Sequence, residues 1–174
     1  MTSREEVKIL KEKAIIFFVL CTVVRLLFEA MSENFYVNVS ESLPLGLYIK
    51  ASGKNFCKDD YIVYEPSEEV KEIIIKNGWG DGKRDFLKKV GAVEGEKYSI
   101  DTKTLRFEIE GKYIGQVIEK DKVGNELPKL RGDFEVPPNC ILPIATSERS
   151  FDGRYSGTIP ISRIKTRVVP LLTW

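Results

Sequence analysis

Chemistry in this chain has to be assembled from a restricted set of side chains. It carries 27 Lys plus Arg, 26 Asp plus Glu, three cysteines and no histidine. Without histidine there is no Ser-His-Asp or Cys-His nucleophile, no HExxH zinc site and no 2-His-carboxylate iron centre. Acid–base work near neutral pH falls to a lysine, a carboxylate, a tyrosine or a cysteine with a displaced pKa. Two motif-like runs are set aside first. Gly78-Trp79-Gly80-Asp81-Gly82-Lys83 is glycine-rich beside a lysine, but a phosphate loop needs a strand before it and a helix after it. Here a helix-like segment precedes and a strand-like one follows, so the run reads as a loop. Ser162-Arg163-Ile164-Lys165 fits the S-x-x-K spacing of penicillin-binding enzymes, yet no S-D-N or K-T-G accompanies it.

Three segments remain: Asn38-Val39-Ser40-Glu41-Ser42-Leu43-Pro44-Leu45-Gly46-Leu47-Tyr48, then Phe86 to Glu96, then Ser150-Phe151-Asp152-Gly153-Arg154-Tyr155-Ser156-Gly157. In this order, behind an apolar N-terminal segment, they resemble the signal peptidase I superfamily. The nearest likeness is to its TraF-type branch, the peptidases of conjugative transfer systems. Ser42 to Tyr48 matches that branch's Ser-x-Pro-x-Gly-Leu-Tyr box. Lys88-Lys89-Val90 with Gly95-Glu96 resembles its lysine box, and Ser150 to Gly157 its Ser-x-Asp-Ser-Arg-Tyr-x-Gly box. The closing Pro170 to Trp174 is also similar to the family's C-terminal end.

The resemblance implies Ser42 as nucleophile and Lys88 as general base, with Lys89 as the fallback. Ser40 would help bind the oxyanion beside the Ser42 backbone N–H, and Asp152 with Arg154 would form a structural ion pair. Pro44, Gly46 and Ser150 would lie near the site. Where relatives have a lysine-supporting serine after the aspartate, this chain has Gly153. That helper is missing, or replaced by water or by Ser150. No cofactor or metal is implied. The implied substrate is an exported precursor such as a pilin, cut after small residues, and secretion-channel subunits are further partners to expect. Hydrolysis and cyclisation of the product both stay open. A catalytically silent assembly factor is the alternative; a LexA-like regulator would need a soluble DNA-binding N-terminus instead.

A Ser–Lys dyad is the variant of triad logic open to a histidine-free chain. Its demand is severe: a free lysine has a pKa of about 10.4 and must be brought by burial to roughly 7–8, a differential of about 4 kcal/mol. If residues 86–90 form a strand, Phe86, Lys88 and Val90 share one face and Leu87 and Lys89 the other.

The elements that must hold these residues read mainly as β. Segments 35–39, 47–50, 61–65, 85–93, 97–101, 105–110, 112–118 and 140–146 are short, β-branched or aromatic, and separated by Gly, Pro, Asn and Asp. Ser67 caps one expected helix over 68–76, ended by Asn77-Gly78. Residues 120–138 read as a long surface excursion. Ala14 to Val24 is apolar apart from Thr22, and the run resumes after Arg25. Extended over 9–28 it predicts a single membrane-spanning helix, since about 20 residues are needed. Phe28-Glu29-Ala30-Met31 is a poor cleavage site. Arg4, Lys8, Lys11 and Lys13 precede the run and no Lys or Arg follows Arg25 until Lys50, which puts the N-terminus in the cytoplasm. The expected organisation is a tail and anchor over 1–31 and an extracytoplasmic all-β domain over 32–174, in a bacterial inner membrane. In an oxidising space Cys57 and Cys140 are a candidate disulfide. The net charge of +1 supplies no basic field for nucleic acid.

Overall fold

The computed structural model describes residues 3–53 and 55–174. The first two residues of the expected tail, and the side chains of Arg4, Ala30 and Met31, lie outside the described residues. The chain forms two compact units, Met1–Phe35 and Tyr36–Trp174.

The first unit is helix α1, Ser3–Ser32. Its apolar side chains are exposed, among them Phe17, Phe18, Leu20, Leu27 and Phe28. Polar groups inside the run are locally satisfied: the Thr22 hydroxyl donates to the Phe18 carbonyl at 2.8 Å, and Arg25 pairs with Glu29 at 2.9 Å. The expected crossing helix over 9–28 is not supported by the described residues. Among the described residues no helix is long and apolar enough to cross a membrane. The reason is the charge spacing. Between Lys13 and Arg25 the apolar run rises about 16 Å at 1.5 Å per residue, against roughly 30 Å of hydrocarbon.

The second unit is mainly β, with two antiparallel sheets. The larger one uses β1 (Phe35–Asn38), β2 (Gly46–Ala51), β3 (Tyr61–Tyr64), β4 (Phe86–Val93), β9 (Cys140–Ile144), β10 (Ile159–Pro160) and β11 (Ile164–Thr173), in the order β1-β2-β11-β3-β4-β9-β10. The smaller one uses β5 (Lys97–Ile100), β6 (Arg106–Ile109), β7 (Lys112–Gln116) and β8 (Gly132–Glu135), in the order β7-β6-β5-β8. Alternation explains the strands: in β5 and β6 every second residue is buried, giving Tyr98, Ile100, Phe107 and Ile109. These pack with Val136, Leu142 and Tyr155 into one core. A second core joins Ile62, Tyr64, Val90, Ile141 and Ile159. Each such side chain, fully buried, supplies roughly 1.5–3 kcal/mol.

Helix α2 spans Glu68–Lys76, and the Ser67 hydroxyl accepts from the Val70 N–H as its N-cap. It buries only Val70 and Ile74. The short α3 (Gly153–Ser156) is capped by Asp152. One expectation changes here, and one strand is added. The 120–138 excursion contains β8, and the C-terminal segment is a ten-residue strand, β11, lodged between β2 and β3. Cys21, Cys57 and Cys140 are all free thiols, so the candidate bridge is absent. Cys57 precedes β3 and Cys140 opens β9, and β4 lies between those strands.

Candidate active site

The loop from Val39 to Leu45 joins β1 to β2, and its shape is set from beneath by one buried amide. Asn38 donates from Nδ2 to the carbonyls of Ser40, Leu43 and Pro44, each at 3.0 Å, while its Oδ1 accepts from the Ser40 N–H at 3.1 Å. The buried Tyr48 hydroxyl donates to the same Pro44 carbonyl at 2.7 Å. From across the chain, the Thr146 N–H and hydroxyl donate to the Ser42 carbonyl at 3.0 and 3.2 Å. The loop's exit is equally constrained: a Cβ on Gly46 would lie 2.2 Å from the Leu172 carbonyl oxygen of β11. Only glycine lets the two backbones meet there.

Ser42, half-buried, receives two hydroxyl contacts. Ser40 Oγ donates to Ser42 Oγ at 2.9 Å and accepts from the Ser42 N–H at 3.2 Å. Ser150 Oγ donates to Ser42 Oγ at 2.9 Å. Lys88 in turn donates from Nζ to Ser150 Oγ at 2.7 Å. The three residues form a continuous chain, Lys88–Ser150–Ser42, with Ser150 as the middle link.

Lys88 sits opposite Ile62 in β4, and is 5% exposed. Burial lowers its pKa to about 8; the Asp152 carboxylate opposes that shift and the Arg154 guanidinium assists it. The Phe86 ring, two residues away on the same face, lies 5.4 Å from Nζ. Lys89 points elsewhere and pairs with Asp59 at 2.8 Å, so it is a structural cation rather than a rival base.

Asp152 is fully buried and Arg154 nearly so. The Asp152 carboxylate accepts from Arg154 Nε and Nη2, both at 2.9 Å, and from the Ala145 N–H at 2.8 Å. Arg154 also donates to the carbonyls of Ser147 (2.6 Å) and Glu148 (3.1 Å). The pair therefore folds the 145–152 loop that presents Ser150. Gly153 is accounted for by close packing against β9. A Cβ there would lie 2.6 Å from both Leu142 Cδ1 and the Pro143 carbonyl oxygen. No side chain fits at 153, and the hydroxyl that contacts the lysine comes from Ser150.

A cavity of about 520 Å³ reaches from Tyr36 and Asn38 past Ser40 and Ser42 to Phe86, Leu87 and Lys88. Chemically, a neutral Lys88 reverses the hydrogen-bond chain. Ser42 then donates toward Ser150 and Ser150 toward Lys88, which leaves Ser42 Oγ able to attack a carbonyl. The Ser42 N–H and the Ser40 hydroxyl lie beside Ser42 Oγ and are bonded to each other, and both are donors of the kind that stabilise an oxyanion once they turn to it.

Of the set-aside motifs, Lys165 pairs with Asp85 at 2.8 Å and takes no part. Sequence reasoning missed Asn38 and Thr146 as supports of the loop. Asn38 at the head of the serine box was the available signal, while Thr146 is separated from Ser42 by 104 residues and gave none.

The profile described as Signal peptidase, peptidase S26 matches residues 10–173. Two Escherichia coli proteins, each called plasmid transfer protein TraF, are 29% and 30% identical over 79% of this chain and 82% of their own. A crystal structure of a signal peptidase I from Enterococcus faecalis V583 overlaps 66% of this chain and 97% of its own, at 15% identity and a TM-score of 0.38.

Proposed function

The chain belongs to the signal peptidase S26 family, and from that premise we propose that it is a membrane-associated serine endopeptidase of a conjugative transfer system. The observation that carries the reading is the Lys88–Ser150–Ser42 chain, with Lys88 buried and its pKa lowered to about 8. Ser42 Oγ attacks the scissile carbonyl as its proton passes to Lys88. The developing oxyanion takes hydrogen bonds from the Ser42 N–H and the Ser40 hydroxyl. Lys88 then returns the proton to the leaving amine, and an acyl-enzyme on Ser42 remains. Water, activated by the same lysine, releases the product; a terminal amine of the acyl segment would release a cyclic one. Losing one oxyanion donor costs about 3–4 kcal/mol in such sites.

The substrate in this reading is an exported precursor such as a pilin, with secretion-channel subunits as further partners. The TraF relatives' role in plasmid transfer supports that context. Helix α1 holds the chain at the inner membrane with the catalytic unit outside the cytoplasm. A short apolar stretch is accommodated by local thinning and by snorkelling of flanking cations, and Lys11, Lys13 and Arg25 are placed for that. The test is processing of a co-expressed pilin precursor by the full chain. Wild type should cleave it, and Ser42→Ala and Lys88→Ala should each leave it intact. Cleavage by both variants would refute the assignment, and mass spectrometry of the product separates the linear from the cyclic outcome.

A further inference from the structure

A second cavity, of about 740 Å³, opens on the same two serines, Ser42 and Ser150, and the reaction above gives it no role. One wall is an aromatic ladder. The rings of Trp79 and Phe151 lie 5.6 Å apart, and Phe151 stacks on Tyr155 at 5.4 Å. Trp79 and Phe151 also line the first cavity, so they divide a single groove at the nucleophile. Trp79 comes from the glycine-rich run that sequence reading treated as a plain loop.

The rim of the second cavity carries Lys120, Lys122 and Arg149 around Asp121. These charges are unequally compensated. The Asp121 carboxylate is occupied by the Trp79 indole N–H at 3.0 Å, the Val123 and Asn125 N–H groups and the Asn125 amide. Lys120 pairs with Glu126 at 3.4 Å. Lys122 and Arg149 form no ion pair with any described residue. Two free cations thus face a groove whose wall is aromatic. On the other side of the divide, Arg84 also forms no ion pair among the described residues, but that cavity is lined by Asp81 and by Asp85, which is paired with Lys165, as well.

We propose that this second cavity binds an acidic stretch of the substrate on one side of the scissile bond, with an apolar side chain against the Trp79–Phe151 ladder and carboxylates at Lys122 and Arg149. The proposal deepens the peptidase reading by naming the class of polypeptide it takes. An extended chain whose carbonyl meets Ser42 has to run on past that residue into both cavities. Opposite charge at the rim favours one partner over another more than it adds raw affinity.

The experiment uses the full chain in detergent with the Ser42→Ala substitution, and fluorescein-labelled peptides that differ only in carrying Glu or Lys on one side of the small-residue cleavage sequence. Anisotropy at low salt should show one acidic peptide bound roughly three- to tenfold tighter than its lysine counterpart, as two partly exposed charge pairs allow. The difference should fade toward 1 M salt. The double substitution Lys122→Glu with Arg149→Glu should abolish or invert the preference, and Trp79→Leu should weaken both peptides. Equal binding of the two peptides, or a preference untouched by the charge reversal, would overturn the proposal. Cleavage by the Ser42-bearing enzyme is measured on the same peptides. A binding preference without any cleavage sinks the peptidase reading and supports the cavity assignment, while cleavage without preference sinks the cavity assignment alone.

Discussion

Burying an ammonium on an inner strand opposes folding, and Lys88 registers this in a pKa lowered by burial to about 8. The sign follows from proton counting. Below pH 8 the lysine is charged in both states, and the folded one bears the full cost. Between about 8 and the unfolded value of about 10.4, the unfolded state holds the extra proton, so stability rises with pH; above that window the penalty is gone. Lys88→Met should therefore be inactive yet more stable than wild type by roughly 1–3 kcal/mol at pH 7. Urea denaturation at pH 7 and pH 10 checks this, and the gain should shrink at the higher pH. The same ionisation governs activity, because only neutral lysine accepts the serine proton. kcat/KM should climb with pH through a single step near 8, and a flat profile from pH 6 to 9 would contradict Lys88 as base. Ser150 supplies the only hydroxyl hydrogen-bonded to both Lys88 and Ser42 among the described residues. Ser150→Ala should lower kcat by about 100-fold or more with little change in melting temperature. Near-wild-type turnover would show that the proton does not travel through it.

At the scale of elements, the serine loop is held by groups outside its reactive hydroxyls. Asn38 satisfies three carbonyls with one amide, so Asn38→Asp sets an acceptor against acceptors in a buried place. The loss should be about 1–3 kcal/mol in stability, and kcat should fall far more than KM rises, because Ser42 and Ser40 lose their alignment. Steady-state kinetics on one peptide separate the two, and a pure KM effect would mean that Asn38 shapes the substrate groove instead. What was legible in the sequence follows the same division. β5 and β6 could be read because each is a local alternation of apolar and polar residues, β3 and β4 because each is a short run rich in β-branched or aromatic residues, and Ser67 because capping is local. The strand β11 was not readable: Pro170 interrupts its run, and the ladder with β2 shifts register between Pro170 and Leu172, a break that proline ordinarily signals as an edge or a bulge. β8 was hidden by the prolines and charges around it, its four residues carrying only one large apolar side chain, Phe134. Ser42 and Lys88 could be named from their boxes. Ser150 could be offered only as one replacement for the hydroxyl missing at Gly153, because its bridge from Lys88 to Ser42 rests on a loop held by the buried Asp152–Arg154 pair.

For the whole molecule, the helix presents the larger physical problem. Phe17, Phe18, Val19, Leu20, Leu26, Leu27 and Phe28 of α1 are each more than half exposed, and each would gain roughly 1.5–3 kcal/mol on leaving water. The sum far exceeds what flanking lysines gain from anionic lipid, at about 1 kcal/mol per cation. The full chain should therefore sediment with membranes, stay there in 1 M salt and be released by detergent. Replacing Phe17, Leu20 and Val24 together by Gln should move it to the soluble fraction. Sidedness can be read from the same preparation through Cys57, which is an exposed free thiol. Lys8, Lys11 and Lys13 precede the apolar run while Lys50 is the first basic residue after Arg25, and this asymmetry favours a cytoplasmic N-terminus. A membrane-impermeant maleimide added to intact spheroplasts should label Cys57 in a variant carrying Cys21→Ser and Cys140→Ser. Labelling only after lysis would put the catalytic unit in the cytoplasm, out of reach of an exported precursor.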